Sequence, residues 1–190
     1  MGEIRSDMIE INNLVKNYGP KFAVDDISFK VTKGEIVGFL GPNGAGKSTT
    51  IKLILDLIRP DSGSITILGK DHTKLNREDI GVVLDEVGIP ECLTATQVDK
   101  VMKNLFKNWD MSRFHCLLTQ LSIPEDKIFK ELSRGMKMKL GIAVAMSHGA
   151  KLLILDEATS GLDPVVRDEV VTMLSEFTRE EGHSILISSH

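Results

Sequence analysis

A chain of 190 residues with 42% hydrophobic and 26% charged side chains has the length of one domain and enough apolar material to bury a core. Its formal net charge of −4 gives no electrostatic case for a nucleic-acid partner. No stretch reaches the roughly 18 apolar residues of a membrane-spanning helix. Residues 1–7 carry acidic side chains, lack the apolar core of a signal peptide and read as a loose extension before Met8. Direct membrane insertion is therefore not expected. Any service to a membrane comes from the cytoplasmic side through a partner. Cys92 and Cys116 have no metal-like spacing and read as reduced thiols of a cytosolic protein.

In chain order, residues 8–15 read as a first strand and 23–31 as one or two more. Ile27, Phe29 and Val31 alternate there as in a half-buried antiparallel sheet. Lys33-Gly34 turns the chain into a short apolar strand over 35–40, and a Gly-rich segment follows directly. A helix is predicted over 47–58, with Ile51, Ile54, Leu55 and Ile58 on one face and Pro60 beyond its end. Strands follow over 64–68 and 80–84. From 94 to 148 the pattern turns helical, rich in Lys, Met and Leu and poor in turn signals. Residues 151–155 form a wholly apolar strand that ends on Asp156-Glu157. Asp163-Pro164 opens a helix to about residue 181, and 184–189 form a last strand before His190. Strands alternating with helices predict an α/β fold, with a parallel sheet covered on both faces and the 94–148 block inserted into it.

The Gly-rich segment Gly41-Pro42-Asn43-Gly44-Ala45-Gly46-Lys47-Ser48 fits G-x-x-x-x-G-K-[ST] in full. A strand delivers the chain to a turn whose backbone N–H groups form an anion nest. Glycines let that backbone approach phosphates without a Cβ clash. The helix that follows presents its positive end to the same anion. Lys47 supplies a cation for β- and γ-phosphates and Ser48 a hydroxyl for Mg²⁺, with Thr49 next in the binding run. The strand before and the helix after are both present, so the segment reads as a site for ATP or GTP. In a parallel sheet Asp156 and Glu157 lie beside it. An Asp there holds Mg²⁺ through water, and the adjacent Glu orients or deprotonates an attacking water.

Four motifs in fixed order carry a family resemblance over residues 8–190. Residues 152–163, Leu-Leu-Ile-Leu-Asp-Glu-Ala-Thr-Ser-Gly-Leu-Asp, resemble the Walker B motif and D-loop of ABC ATPases, with Ala158 in place of the usual Pro. Leu132-Ser133-Arg134-Gly135-Met136 stands where that family has its LSGGQ signature, His190 where it has its switch histidine, and Tyr18 where an aromatic stacks on adenine. The resemblance implies a P-loop NTPase (RecA-like) parallel-sheet core with an N-terminal antiparallel β subdomain, over 8–86 and 150–190. It also implies an inserted α-helical subdomain over 87–149. It implies two cassettes pairing head to tail around ATP and Mg²⁺. Ser133 and Gly135 then contact the nucleotide held by the partner's loop, His190 reaches the γ-phosphate, and Asp163 caps a helix near the junction.

The chain departs from the family pattern at three places. Asp85 stands where a Gln is usual after the strand over 80–84, and is expected to join Ser48 and Asp156 as a metal ligand. Arg134 and Met136 replace Gly and Gln in the signature. Arg134 is either a cation near the partner's phosphates or a solvated side chain. Family cassettes usually continue past the switch histidine, so a C-terminally truncated cassette is expected. The resemblance favours a transporter motor serving a separate permease, in the manner of bacterial single-cassette exporters. A soluble ABC ATPase acting on ribosomes or DNA is the alternative. Such proteins usually carry two cassettes or long coiled-coil insertions, and this chain has neither.

Overall fold

The computed structural model describes residues 7–189, so His190 lies outside the described residues. The chain runs through β1 (Asp7–Tyr18), β2 (Lys21–Thr32), β3 (Ile36–Leu40), α1 (Lys47–Ile54), β4 (Ser62–Ile67) and β5 (Lys70–Asp71). It continues through β6 (Ile80–Val83), α2 (Ala95–Leu105), α3 (Met111–Gln120), α4 (Arg134–Met146), β7 (Leu152–Leu155), α5 (Pro164–Arg179) and β8 (Ser184–Ser189). Two sheets result. One is antiparallel in the order β2-β1-β4-β5, and the other is parallel in the order β3-β8-β7-β6. The two-residue β5 is too short for any alternation to announce it.

Period-two alternation along the parallel strands divides the interior. Leu152 and Ile154 of β7 point into one cluster with Ile80, Leu186, Ile51, Ile54 and the inner residues of β1 and β4. Leu153 and Leu155 point into the other, with Val83, Ile185, Phe114, Leu140, Ile142 and Phe177. All four β7 side chains are fully buried, as a strand covered on both faces requires. At about 1.5–3 kcal/mol for each buried aliphatic side chain, this strand anchors both halves of the core.

The helical block is broken at three capped starts. Thr94 and Gln97 form a capping box on α2, Asp110 caps α3 by accepting the Arg113 N–H, and Ser133 caps α4 by accepting the Met136 N–H. Helix α1 ends at Ile54, four residues short of the expected 58. Asp56 there takes a left-handed φ of +55°, with the Leu57 N–H on the Lys52 carbonyl and the Asp56 N–H on the Leu53 carbonyl. This is a Schellman closure with Asp in the place usually held by Gly. No described helix is long and apolar enough to cross a membrane.

One histidine, His148, is buried and another, His183, is half-buried. His148 stacks on Phe106 at 4.2 Å between centroids, with Nδ1 3.1 Å from the Glu78 carbonyl oxygen. His183 stacks on Phe177 at 4.3 Å. Burial pushes both imidazoles below their ordinary value, against an opposing pull from the Glu78 carbonyl and the Glu180 carboxylate respectively. The folded protein keeps them neutral while the unfolded chain protonates them. Their stabilisation is therefore complete above an unfolded pKa of about 6.5 and is lost as pH falls through the depressed folded values. The urea midpoint should drop between about pH 7.5 and about pH 5.5. His148→Phe, which keeps the stack on Phe106, should shrink that drop, and an unchanged drop would remove His148 from the account.

Candidate active site

Strand β3 ends at Leu40 and delivers Gly41 to the loop, and α1 begins at Lys47. Gly46, the N-cap of α1, has φ +88°, and a Cβ there would lie 2.1 Å from the Ala23 carbonyl oxygen of β2. Both constraints admit only glycine. The Ala45 N–H closes a turn on the Pro42 carbonyl at 3.2 Å, and the Thr50 N–H and hydroxyl return to the Gly46 carbonyl at 2.8 and 3.0 Å. The remaining first-turn N–H groups of α1 have no intrahelical acceptor and are free for an anion.

Lys47 holds the charge of this loop. Its side chain is only 5% exposed, and Nζ donates to the Gly41 carbonyl at 2.5 Å and to the Pro42 carbonyl at 3.1 Å. The Glu157 carboxylate stands 3.7 Å away. An ammonium group taken out of water needs such oxygens around it.

Glu157 lies just beyond β7 with φ +54°, a left-handed conformation that costs a non-glycine residue about 1–2 kcal/mol. Hydrogen bonds hold it there. Its N–H donates to Ser188 Oγ at 2.9 Å, and its carbonyl accepts the Ser160 N–H at 2.9 Å. The same Ser188 hydroxyl donates to Asp156 Oδ1 at 2.6 Å, and the Asp156 N–H donates to the Val83 carbonyl at 2.8 Å. One fully buried serine on β8 thus orders both acidic residues. Sequence reasoning missed Ser188, although a hydroxyl at an inward position of an apolar strand is a legible signal.

Lys47 and Glu157 open onto a cavity of about 290 Å³, with Asp156 and Ser188 buried behind its lining. Asn43, Gly44, Gly46 and Lys47 form its loop wall, Ser48 and Thr49 belong to the first turn of α1, and Glu157 closes one side. Gly41 and Pro42 shape it from behind through the carbonyls that bind Lys47, and Ala45 does so through its turn. The β1–β2 hairpin adds Tyr18, 54% exposed, and Phe22, 58% exposed. Phe22 is a second aromatic at this mouth that the sequence reading did not single out. The hydroxyl of Ser48 and the carboxylate of Asp156 are hard oxygen donors of the kind a divalent cation such as Mg²⁺ takes.

The other expected site residues are not brought to this cavity. Ser133 is the N-cap of α4, and Gly135 packs on α5, where a Cβ would lie 3.0 Å from Val166. Asp85, expected as a metal ligand, lies apart from this cavity. Its carboxylate lies 3.3 Å from Arg134 Nη2 and lines a separate groove with Glu86, Phe129 and Lys137. The Arg134 side chain is largely exposed and paired with Asp85. Asp163 caps α5 through the Val166 N–H at 3.1 Å. Ser188→Ala would leave the buried Asp156 carboxylate and the Glu157 N–H short of a partner. It should destabilise the fold by about 1–3 kcal/mol in urea unfolding, whereas a neutral result would deny the serine its ordering role.

The family profile described as ABC transporter matches residues 24–160. The lantibiotic transport ATP-binding protein SrtF of Streptococcus pyogenes is 35% identical over 185 residues, covering 96% of this chain and 80% of SrtF. The bacitracin transport ATP-binding protein BcrA of Bacillus licheniformis is 38% identical over 196 residues, covering 97% of this chain but 62% of BcrA. Among solved structures, cbiO1 of Clostridium perfringens, part of the ABC transporter complex cbiONQ, superposes with a TM-score of 0.79. It is 29% identical and is covered to 78% by 97% of this chain. With a phosphate-loop lysine and Glu157 gathered at one cavity, and with relatives of this identity and coverage, the chain belongs to the ABC transporter family as one of its ATP-binding, ATP-hydrolysing cassettes.

Proposed function

We propose that this cassette powers export through a separate membrane permease by binding ATP and hydrolysing it. The observation that carries the hydrolytic reading is the approach of Glu157 to Lys47 across 3.7 Å, which joins the phosphate loop to the end of β7. Lys47 exchanges its loop carbonyls for phosphate oxygens, which offer more negative charge. The Asn43 to Thr49 backbone and the α1 N-terminus hold the remaining phosphate charge. Ser48 and Asp156 would hold Mg²⁺, which when bound would neutralise phosphate charge. Glu157 orients the attacking water and draws a proton from it, and Tyr18 stacks on the base. The role of His190 at the γ-phosphate stays a reading of the sequence alone.

Ser133 and Gly135 sit at another helix start and outside the phosphate-loop cavity, which supports their serving a second cassette, identical or related, in a head-to-tail pair. The relatives SrtF and BcrA are named for lantibiotic and bacitracin transport, and this supports an export role and a place at the cytoplasmic face of a membrane. The choice of cargo belongs to the permease.

Glu157→Gln should keep ATP binding and lose phosphate release by at least about 100-fold, as removal of a general base does. Turnover at the wild-type rate in that variant would sink the assignment. Lys47→Ala should lose nucleotide binding itself, measured by titration with a fluorescent ATP analogue.

A further inference from the structure

Three segments that carry residues of the proposed site meet at one side chain. Arg134 is the first residue of α4, next to the N-cap Ser133. Its Nη2 lies 3.3 Å from Asp85 Oδ1, in the segment that follows β6. The same guanidinium rests on the segment that follows β7. Gly161 there has φ +65°, and a Cβ at that position would lie 2.7 Å from Arg134 Nη1 and 3.2 Å from its Cζ. Gly161 is four residues beyond Glu157 and two before the α5 cap Asp163. The close approach leaves the guanidinium lying against Gly161, and Asp85 is the carboxylate in ion-pair range of it among the described residues.

We propose that Arg134 is a positioning residue that ties the Glu157–Asp163 segment to the loop after β6, and that Asp85 acts as its counter-ion rather than as a metal ligand. The groove that Asp85 lines, about 410 Å³, is formed with Glu86, Glu91, Phe129 and Lys137 and includes none of the phosphate-loop residues. Glu86 and Glu91 add negative charge around the guanidinium, and Lys137 is engaged over the Phe129 ring at 5.1 Å. Both partners of the pair are more than half exposed, so it adds little to global stability. Its effect is local, on where the segment bearing Glu157 stands relative to α4. A guanidinium suits this role because its planar fork can face a carboxylate while its body lies on backbone, which an ammonium cannot do.

The inference rests on the hydrolytic reading for its activity readout but not for its structural one. Arg134→Ala, Asp85→Asn, the double variant and the exchanged pair Asp85→Arg with Arg134→Asp are compared in the full chain. Each single change should lower kcat by the same factor, about two- to thirtyfold, with KM for ATP and the thermal midpoint held. The double variant should lose no more than either single, because one interaction is removed once. The Mg²⁺ concentration giving half-maximal rate should not move in any of them. Amide hydrogen exchange over residues 157–163 should rise equally in both singles and fall back in the exchanged pair. Arg134→Lys should recover only part of the rate.

A raised Mg²⁺ requirement confined to Asp85→Asn would make Asp85 a metal ligand and overturn the proposal. Multiplying losses in the double variant, or unchanged exchange over 157–163, would also overturn it. Glu157→Gln is the control: if it retains turnover the hydrolytic reading fails, and if it is inactive while the losses multiply, only the pairing fails.

Discussion

The position of one buried cation sets the geometry of this molecule. Lys47 is enclosed with two carbonyls of its own loop and the Glu157 carboxylate as its oxygens, so two separate parts of the chain must arrive at one place. The parallel register delivers them. Phe39 and Leu40 of β3 stand against Ser188 and Ser189 of β8, and Leu155 of β7 stands against Ile187. Gly41 therefore leaves β3 at the level where Asp156 and Glu157 leave β7, with Ser188 between them. Any slip of one residue in β8 would turn the serine to the other face and separate the two halves of the site.

The acidic residues are held rather than merely placed. Glu157 occupies a left-handed backbone conformation, and its strain is offset by hydrogen bonds from its N–H and to its carbonyl. Asp156 is anchored at both its N–H and its carboxylate. Local strain with such supports is characteristic of sites whose groups must stand ready before the ligand arrives. The apolar side chains of β7 supply the rigidity behind it, because every one of them is packed on one face of the sheet or the other.

The helical block between β6 and β7 is joined to this centre by few polar contacts. Its own core of Phe114, Leu118, Leu140 and Ile142 is continuous with the face of the sheet that carries Leu153 and Leu155. At the edge nearest the acidic segment, Gly135 brings α4 close to Val166 of α5, and Arg134 reaches Asp85 and Gly161. These close approaches give the start of α4 a defined position relative to Glu157, although the two are far apart in the sequence.

Much of this was legible before any coordinates. The loop from Gly41 to Ser48, the wholly apolar β7 with its Asp-Glu ending and the Asp163-Pro164 helix start are local signals, because each arises from backbone conformations and burial patterns set within a few residues. The helical pattern over 94–148 was legible as a type and in where it begins, but its break and restart at Asp110 were not. Asp110 caps only where the chain also turns, and turning is decided by packing. The early end of α1 at Asp56 was hidden because Asp rarely takes the left-handed place of Gly. The inward hydroxyl of Ser188 is visible in the strand pattern, but its partners Asp156 and Glu157, the place of Phe22 and the pairing of Asp85 with Arg134 are contacts between segments far apart in the chain, and neither periodicity nor spacing encodes those. The sequence alone determined which chemical groups the site contains. Tertiary structure decided which of them meet, because strand register and the close approach at glycines fix distances that residue order leaves open.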